Sequence, residues 1–185
     1  QSIIAESDRL LIVTAGQITL KLTQGFELQA ITGKSLIIPR GSGFTWSSAT
    51  GTRVWFDAYQ PAVNARITEH NPFLVDEDAP LTQVDGPATE LLTTPSPVVH
   101  RDIAYQSADQ KFSVGIWQAT AYQRRLAGFG DYELMYPIAG EINITNTLGE
   151  STTFGPHQGF IVNRGVSNAW HSDGQVKKIY SKVSV

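Results

Sequence analysis

Glu133 is the residue best placed to do chemistry. It precedes the run Leu134-Met135-Tyr136, so a strand there would turn its carboxylate and Met135 to one face. A carboxylate facing a protein interior must be hydrogen-bonded, paired or protonated, and each state has a use: ligand anchor, ion pair, or general acid/base. Asn168 and Trp170 share a face of a later segment in the same way, one offering an amide and the other an indole ring. Tyr122, Arg124 and Tyr136 stand near Glu133 in the chain and could line the mouth of the same site. Two readings of Glu133 stay open: a ligand-binding group, or a structural ion pair with Arg124 or Arg125, the nearest basic residues.

Other chemistries find no support. The four histidines, His70, His100, His157 and His171, never occur as His-x-His or His-x-x-x-His, which leaves a metal site only if the fold assembles one from scattered positions. No nucleophile elbow, phosphate loop or dinucleotide fingerprint is present. Arg9 could meet an anionic ligand, but pairing with the neighbouring Glu6 is the simpler expectation. Trp46 and Trp170 are expected in the core rather than on a ligand.

The elements that must position these groups are strands. Gln17–Leu22 and Glu141–Asn146 alternate polar with apolar residues, and each runs toward a glycine turn, at Gln24-Gly25 and Leu148-Gly149. Short apolar runs at Leu36–Ile38 and Phe160–Val162 read as buried strands, and Thr52–Tyr59 and Val176–Val183 as further strands. Ser113–Trp117 is strand-like as well. No segment sustains a capped 3.6-residue period, so any helix is expected to be short. Between Gln60 and Pro97 lie six of the nine prolines, together with the acidic Asp76-Glu77-Asp78, as expected of an extended connection.

Composition narrows the function classes. With 41% apolar and 17% charged residues, the 185-residue chain can bury a core. A net charge of −3 and the lack of a Lys/Arg run exclude a broad phosphate-binding surface, so no nucleic-acid partner is expected. The absence of cysteine removes disulfides and thiolate ligands and fits a reducing, cytoplasmic setting. No stretch reaches the roughly 20 apolar residues of a membrane span, and Glu6, Asp8 and Arg9 interrupt any signal-peptide core, so no membrane partner is expected.

The chain also aligns with itself, without gaps, at an offset of 124 residues: between Leu10–Trp46 and Leu134–Trp170, ten of 37 positions are identical. Gly16, Gly25, Gly41 and Trp46 fall on Gly140, Gly149, Gly165 and Trp170. That period is too long for a solenoid and suits two copies of one small domain.

These motifs resemble the cupin superfamily of small antiparallel barrels. Gly33, Pro39 and Gly41 fall at the spacing of its second motif, with Phe44 and Ser48 where His and Asn belong. In the other copy His157, Asn163, Gly165, Asn168 and Ser172 hold those places, while Glu133 and Gly140 resemble the end of the first motif, where Arg9 and Gly16 stand in the N-terminal copy. Ser107–Trp117, Gly140-Glu141, Phe154-Gly155-Pro156, Gly165 to Trp170 and Lys178-Ile179-Tyr180 are similar to the ureidoglycine-aminohydrolase-type subgroup. The resemblance implies an all-β bicupin: an N-terminal barrel over 1–60, a proline-rich connection over 61–97 and a C-terminal barrel over 98–185. Metal-binding cupins carry His-x-His just before the Glu. Leu126, Ala127, Gly128 and Phe129 stand there, Asn168 replaces the late His, and Ser2, Ile4, Arg9 and Phe44 occupy the N-terminal counterparts. Since a catalytic divalent metal needs about three protein ligands, neither a metal nor another cofactor is expected.

The expected function is metal-free binding of a small polar metabolite in the C-terminal barrel by Glu133, Asn168, Trp170, Tyr122, Arg124 and Tyr136. One alternative is a hydrolase- or isomerase-type enzyme acting on a small nitrogen-containing metabolite, with Glu133 as acid/base. The other is a ligand-free structural unit. A homodimer is expected on the resemblance, since cupins associate through sheet faces and edges.

Overall fold

Alternating apolar residues need two sheets to close over them, and the chain supplies such a pair twice. The computed structural model describes residues 2–61 and 71–184, so His70 lies outside the described residues. Two compact units emerge, Gln1–Asp76 with Tyr105–Ser113, and Glu77–Ala104 with Val114–Val185.

In the first unit the strands are β1 (Ile3–Ile4), β2 (Asp8–Ala15), β3 (Gln17–Leu22), β4 (Glu27–Ile31), β5 (Ser35–Ile38), β6 (Gly43–Ser48), β7 (Arg53–Tyr59) and β8 (Phe73–Leu74). They form two four-stranded sheets, ordered β1-β6-β3-β4 and β7-β2-β5-β8. Leu11, Val13, Leu36 and Ile38 from one sheet meet Ile18, Leu20, Ala30 and Phe44 from the other in one core. Asp8 is buried on the other face of β2, and its Oδ1 accepts from the Tyr105 hydroxyl at 2.6 Å and from the Arg40 amide at 2.7 Å.

The remaining strands are β9 (Thr82–Val84), β10 (Val99–Gln106), β11 (Phe112–Ala119), β12 (Tyr122–Gly128), β13 (Tyr132–Ala139), β14 (Ile142–Thr145), β15 (Ser151–Phe154), β16 (Phe160–Val162), β17 (Ser167–Ser172) and β18 (Val176–Val183). Their sheets run β16-β13-β18-β11-β10-β9 and β12-β17-β14-β15. Val99, Ala119, Met135, Val162 and Val176 from the first meet Tyr122, Ile142 and Trp170 from the second. Among the described residues the helical content is one short 3-10 turn, Thr89–Leu91, and no helix is long and apolar enough to cross a membrane. The proline-rich stretch contributes β8, β9 and that turn, and the two units divide at Asp76 within it.

The internal repeat is written into the strand register. Arg9 pairs with Ile38 across β2 and β5, and Glu133 with Val162 across β13 and β16, 124 residues on in both partners. Ile3 opposite Phe44 becomes Ala127 opposite Asn168. Even the β-bulge between Val13 and Ala15 recurs between Pro137 and Ala139.

Gly16 and Gly140 turn at φ of 77° and 76°, the left-handed region that costs other residues about 1–2 kcal/mol. A side chain at Gly140 would also run into the Gln175 carbonyl and Val176, whereas at Gly149, φ 83°, it would meet open space. Gly140→Ala should therefore cost about 3 kcal/mol and Gly149→Ala about 1 kcal/mol in urea unfolding, and equal costs would contradict this account.

Asp109 closes the turn after β10. Its carboxylate accepts from Ser107 Oγ at 2.6 Å, Tyr59 Oη at 2.7 Å and the Lys111 amide at 3.2 Å. Burial alone would raise its pKa, but these hydrogen bonds hold it below the ordinary value, while burial and then Asp109 push Tyr59 up to about 12. A depressed carboxyl stabilises the fold above its unfolded pKa, and that stabilisation is lost as pH falls through the folded value. Asp109→Asn should thus cost about 1 kcal/mol at neutral pH, with the gap from wild type closing below about pH 4 in urea titrations.

Candidate functional site

The second unit contains a cavity of about 370 Å³. Glu133 on β13 faces it together with Met135, as their shared strand face requires. Across the adjacent strand β18, Lys178 donates from Nζ to Glu133 Oε1 at 2.7 Å, with side-chain exposures of only 6% and 12%. The partner of Glu133 is therefore Lys178, in place of the expected Arg124 or Arg125. Arginines close in sequence lie on a different sheet, whereas strand pairing brings a lysine 45 residues away within reach. The Lys178 ammonium also sits 4.9 Å from the Trp117 ring centroid and 5.6 Å from that of Trp170. The buried lysine is thus surrounded by one carboxylate and two indole faces.

Aromatic packing builds the floor. Trp170 meets Trp117 edge-on at 5.8 Å and stacks on Tyr122 at 5.5 Å. Burial holds the Tyr122 phenol above its ordinary pKa. Arg124, on β12 opposite Trp170, gives Nη2 to Asn168 Oδ1 at 2.7 Å and Nη1 to the Asn168 carbonyl at 2.9 Å. Burial pulls its pKa down, yet an arginine with this partner remains charged. Asn168 is itself buried beneath Arg124, and among the described residues its Nδ2 has no protein acceptor.

The sequence-predicted residues therefore divide. Glu133, Tyr122, Arg124 and Trp170 line the cavity, and Asn168 fixes one wall from behind. Tyr136 stands on the opposite face of β13, 3.3 Å from His157 Nδ1, and does not line the cavity. Its phenol is pushed up by burial and by Glu77. Lys178, Trp117, Arg101, Lys182 and Asp131 were missed as site residues. The alternation of β18, which sends Lys178, Tyr180 and Lys182 to one face, was the available signal.

Two further expectations need correcting. Trp46 is 55% exposed and not in the core. Its counterpart Trp170 is covered by Tyr122 from the seven-residue β12, while the equivalent β1 is two residues long. Arg9 donates from Nε to Ser7 Oγ at 3.0 Å and lies over Phe56, so its partner is not Glu6.

No group of three histidine or carboxylate side chains placed to hold a metal occurs among the described residues. His100 lies on β10, His157 contacts Tyr136, and His171 pairs with Asp173 at 2.8 Å. The ligand set that the cupin resemblance implies does not fit a metal here: Asn168 faces an arginine, and the one carboxylate is engaged by an ammonium.

No family model matches the chain, and no curated protein matches its sequence. Solved structures share its fold. A protein with unknown function of the DUF861 family, from Pseudomonas syringae pv. tomato, is 22% identical with a TM-score of 0.90, over 99% of this chain and 78% of that one. A cupin 2 conserved barrel domain protein from Leptotrichia buccalis is 11% identical with a TM-score of 0.60, over 100% and 78%. AerE from Microcystis aeruginosa is 10% identical with a TM-score of 0.58, over 100% and 81%. The chain has an all-β, cupin-like fold.

Removing either partner of the central ion pair strands a buried charge. Glu133→Gln and Lys178→Met should each cost about 3 kcal/mol, and the double variant clearly less than their sum, in a urea double-mutant cycle. Additive costs would mean the two groups act independently.

Proposed function

We propose that the second unit binds a small polar metabolite bearing a carboxylate, in the cavity over Trp170. The observation that carries this reading is the charge of the lining: Arg101, Arg124, Lys178 and Lys182 stand against Asp131 and Glu133 alone. Lys178 pairs with Glu133, and Lys182 lies 3.3 Å from Asp131, which among the described residues leaves both arginines without a carboxylate. Arg101 makes no hydrogen bond or ion pair among the described residues, and guanidinium groups match carboxylates in geometry and charge. The volume suits a ligand smaller than a nucleotide, and the indole and phenol rings supply an apolar wall.

In this reading the chain is a bicupin, akin to the ureidoglycine-aminohydrolase-type subgroup in its motifs and working without the metal. The repeated register supports two copies of one barrel, and the missing ligand set speaks against carrying over that subgroup's metal chemistry. The cytoplasm is the proposed location, from the cysteine-free composition, and homodimerisation is proposed on the cupin resemblance alone. The enzyme alternative makes Glu133 and Lys178 a proton-transferring pair, since they sit within hydrogen-bond distance at the cavity.

Short hydroxy, amino and ureido acids should raise the melting temperature of the intact chain, and their primary amides should not. Arg101→Gln with Arg124→Gln should weaken binding by about tenfold or more in calorimetry. Equal effects of acids and amides would refute a carboxylate site. Turnover of a bound acid that disappears in Glu133→Gln, with binding retained, would establish the enzyme alternative.

A further inference from the structure

The first unit carries a cavity of its own, about 400 Å³, of very different character. Its floor is Leu11, Leu20, Ile38 and Phe44, and its rim includes Trp46 and Phe56, which are 55% and 53% exposed. Scattered exposed apolar side chains are ordinary. Two half-exposed aromatic rings on the rim of one apolar cup are a feature that a ligand would cover.

Arg9 is the only charged residue in this lining. The 124-residue correspondence explains why its charge is left over. Arg9 takes the place of Glu133, and Val54 takes that of Lys178, so the copy without the lysine carries a guanidinium where the other has the carboxylate. In the second unit the buried ammonium finds a carboxylate at 2.7 Å. In the first, Arg9 has only the Ser7 hydroxyl, on Nε, and the face of Phe56 at 5.8 Å. Its two Nη amines, the edge that grips a carboxylate bidentately, have no partner among the described residues. Phe56 holds the guanidinium plane in position, which lowers the entropy lost on binding.

We infer that this cup is a second binding site, for an apolar monocarboxylic acid whose aryl or alkyl body lies against Phe44 and Trp46 and whose carboxylate meets Arg9. A neutral apolar molecule would leave Arg9 partly desolvated and unmatched. A polar anion would waste the apolar floor. The site is independent of the one in the second unit and asks for the opposite kind of acid.

The test is calorimetry of the intact chain with 3-phenylpropionate and octanoate, each against its primary amide. The acids should bind at least about tenfold more tightly than the amides. Arg9→Gln should bring the acids down to the amide level, while Arg53→Gln, an exposed position outside the cup, leaves their binding unchanged. If Arg9→Gln does not fold, the acid–amide comparison decides when made on the Arg101→Gln/Arg124→Gln variant, which lacks the guanidinium pair proposed for the other cavity. Equal binding of acid and amide, binding that survives Arg9→Gln, or no binding at millimolar concentration would each overturn the inference. So would a concentration-dependent dimer that Trp46→Ala dissolves, because a second copy would then be the occupant of the cup.

Discussion

A lysine ammonium taken almost wholly out of water imposes more on the second unit than any other single group. Hydration lost by Lys178 must be replaced, and Glu133 does this with one short contact while Trp117 and Trp170 offer the negative faces of their rings. Each of those partners is then constrained in turn. Trp170 is fixed between Trp117 and Tyr122, and Arg124, on the strand opposite, is tied to Asn168. A fixed positive charge thus occupies the region where the cupin resemblance would put a metal cation. The carboxylate is engaged by the ammonium, and on the reading proposed above the guanidinium groups of Arg101 and Arg124 are what would meet a ligand.

Strand placement was readable because alternation and glycine turns are local properties. The Gln17–Leu22, Phe160–Val162 and Val176–Val183 strands were each expected over the residues they occupy. Other ends moved by a residue or so, as at Arg53–Tyr59 against an expected start at Thr52. The site was legible only where it depended on one strand. Glu133, with Met135 beside it, could be read from β13 alone, and Trp170 from β17. Lys178 could not be joined to Glu133 in this way, because that contact depends on which strands are neighbours and in what register.

Trp46 illustrates the limit of arguing by equivalence. Its place in the repeat and in the register matches that of Trp170, opposite Leu20 as Trp170 is opposite Ile144. Burial, however, is set by what lies above a ring rather than by the backbone beneath it. Tyr122 supplies that cover in one unit, and among the described residues no ring stacks on Trp46 in the other. Tyr136 shows the converse: nearness in sequence to Glu133 placed it on the wrong face, since adjacent residues separated by an odd number point apart.

The bulge shared by β2 and β13 carries a lesson about how the two copies could diverge. The Gly16 and Gly140 turns follow each bulge directly, so adding or deleting one position ahead of it in either strand would send the side chains on one side of the change to the opposite face. Along these two strands length is therefore constrained, and side-chain chemistry is what differs. An ungapped alignment that retains glycines while a guanidinium stands against a carboxylate fits that restriction: two strands cast in one mould and told apart by their glaze.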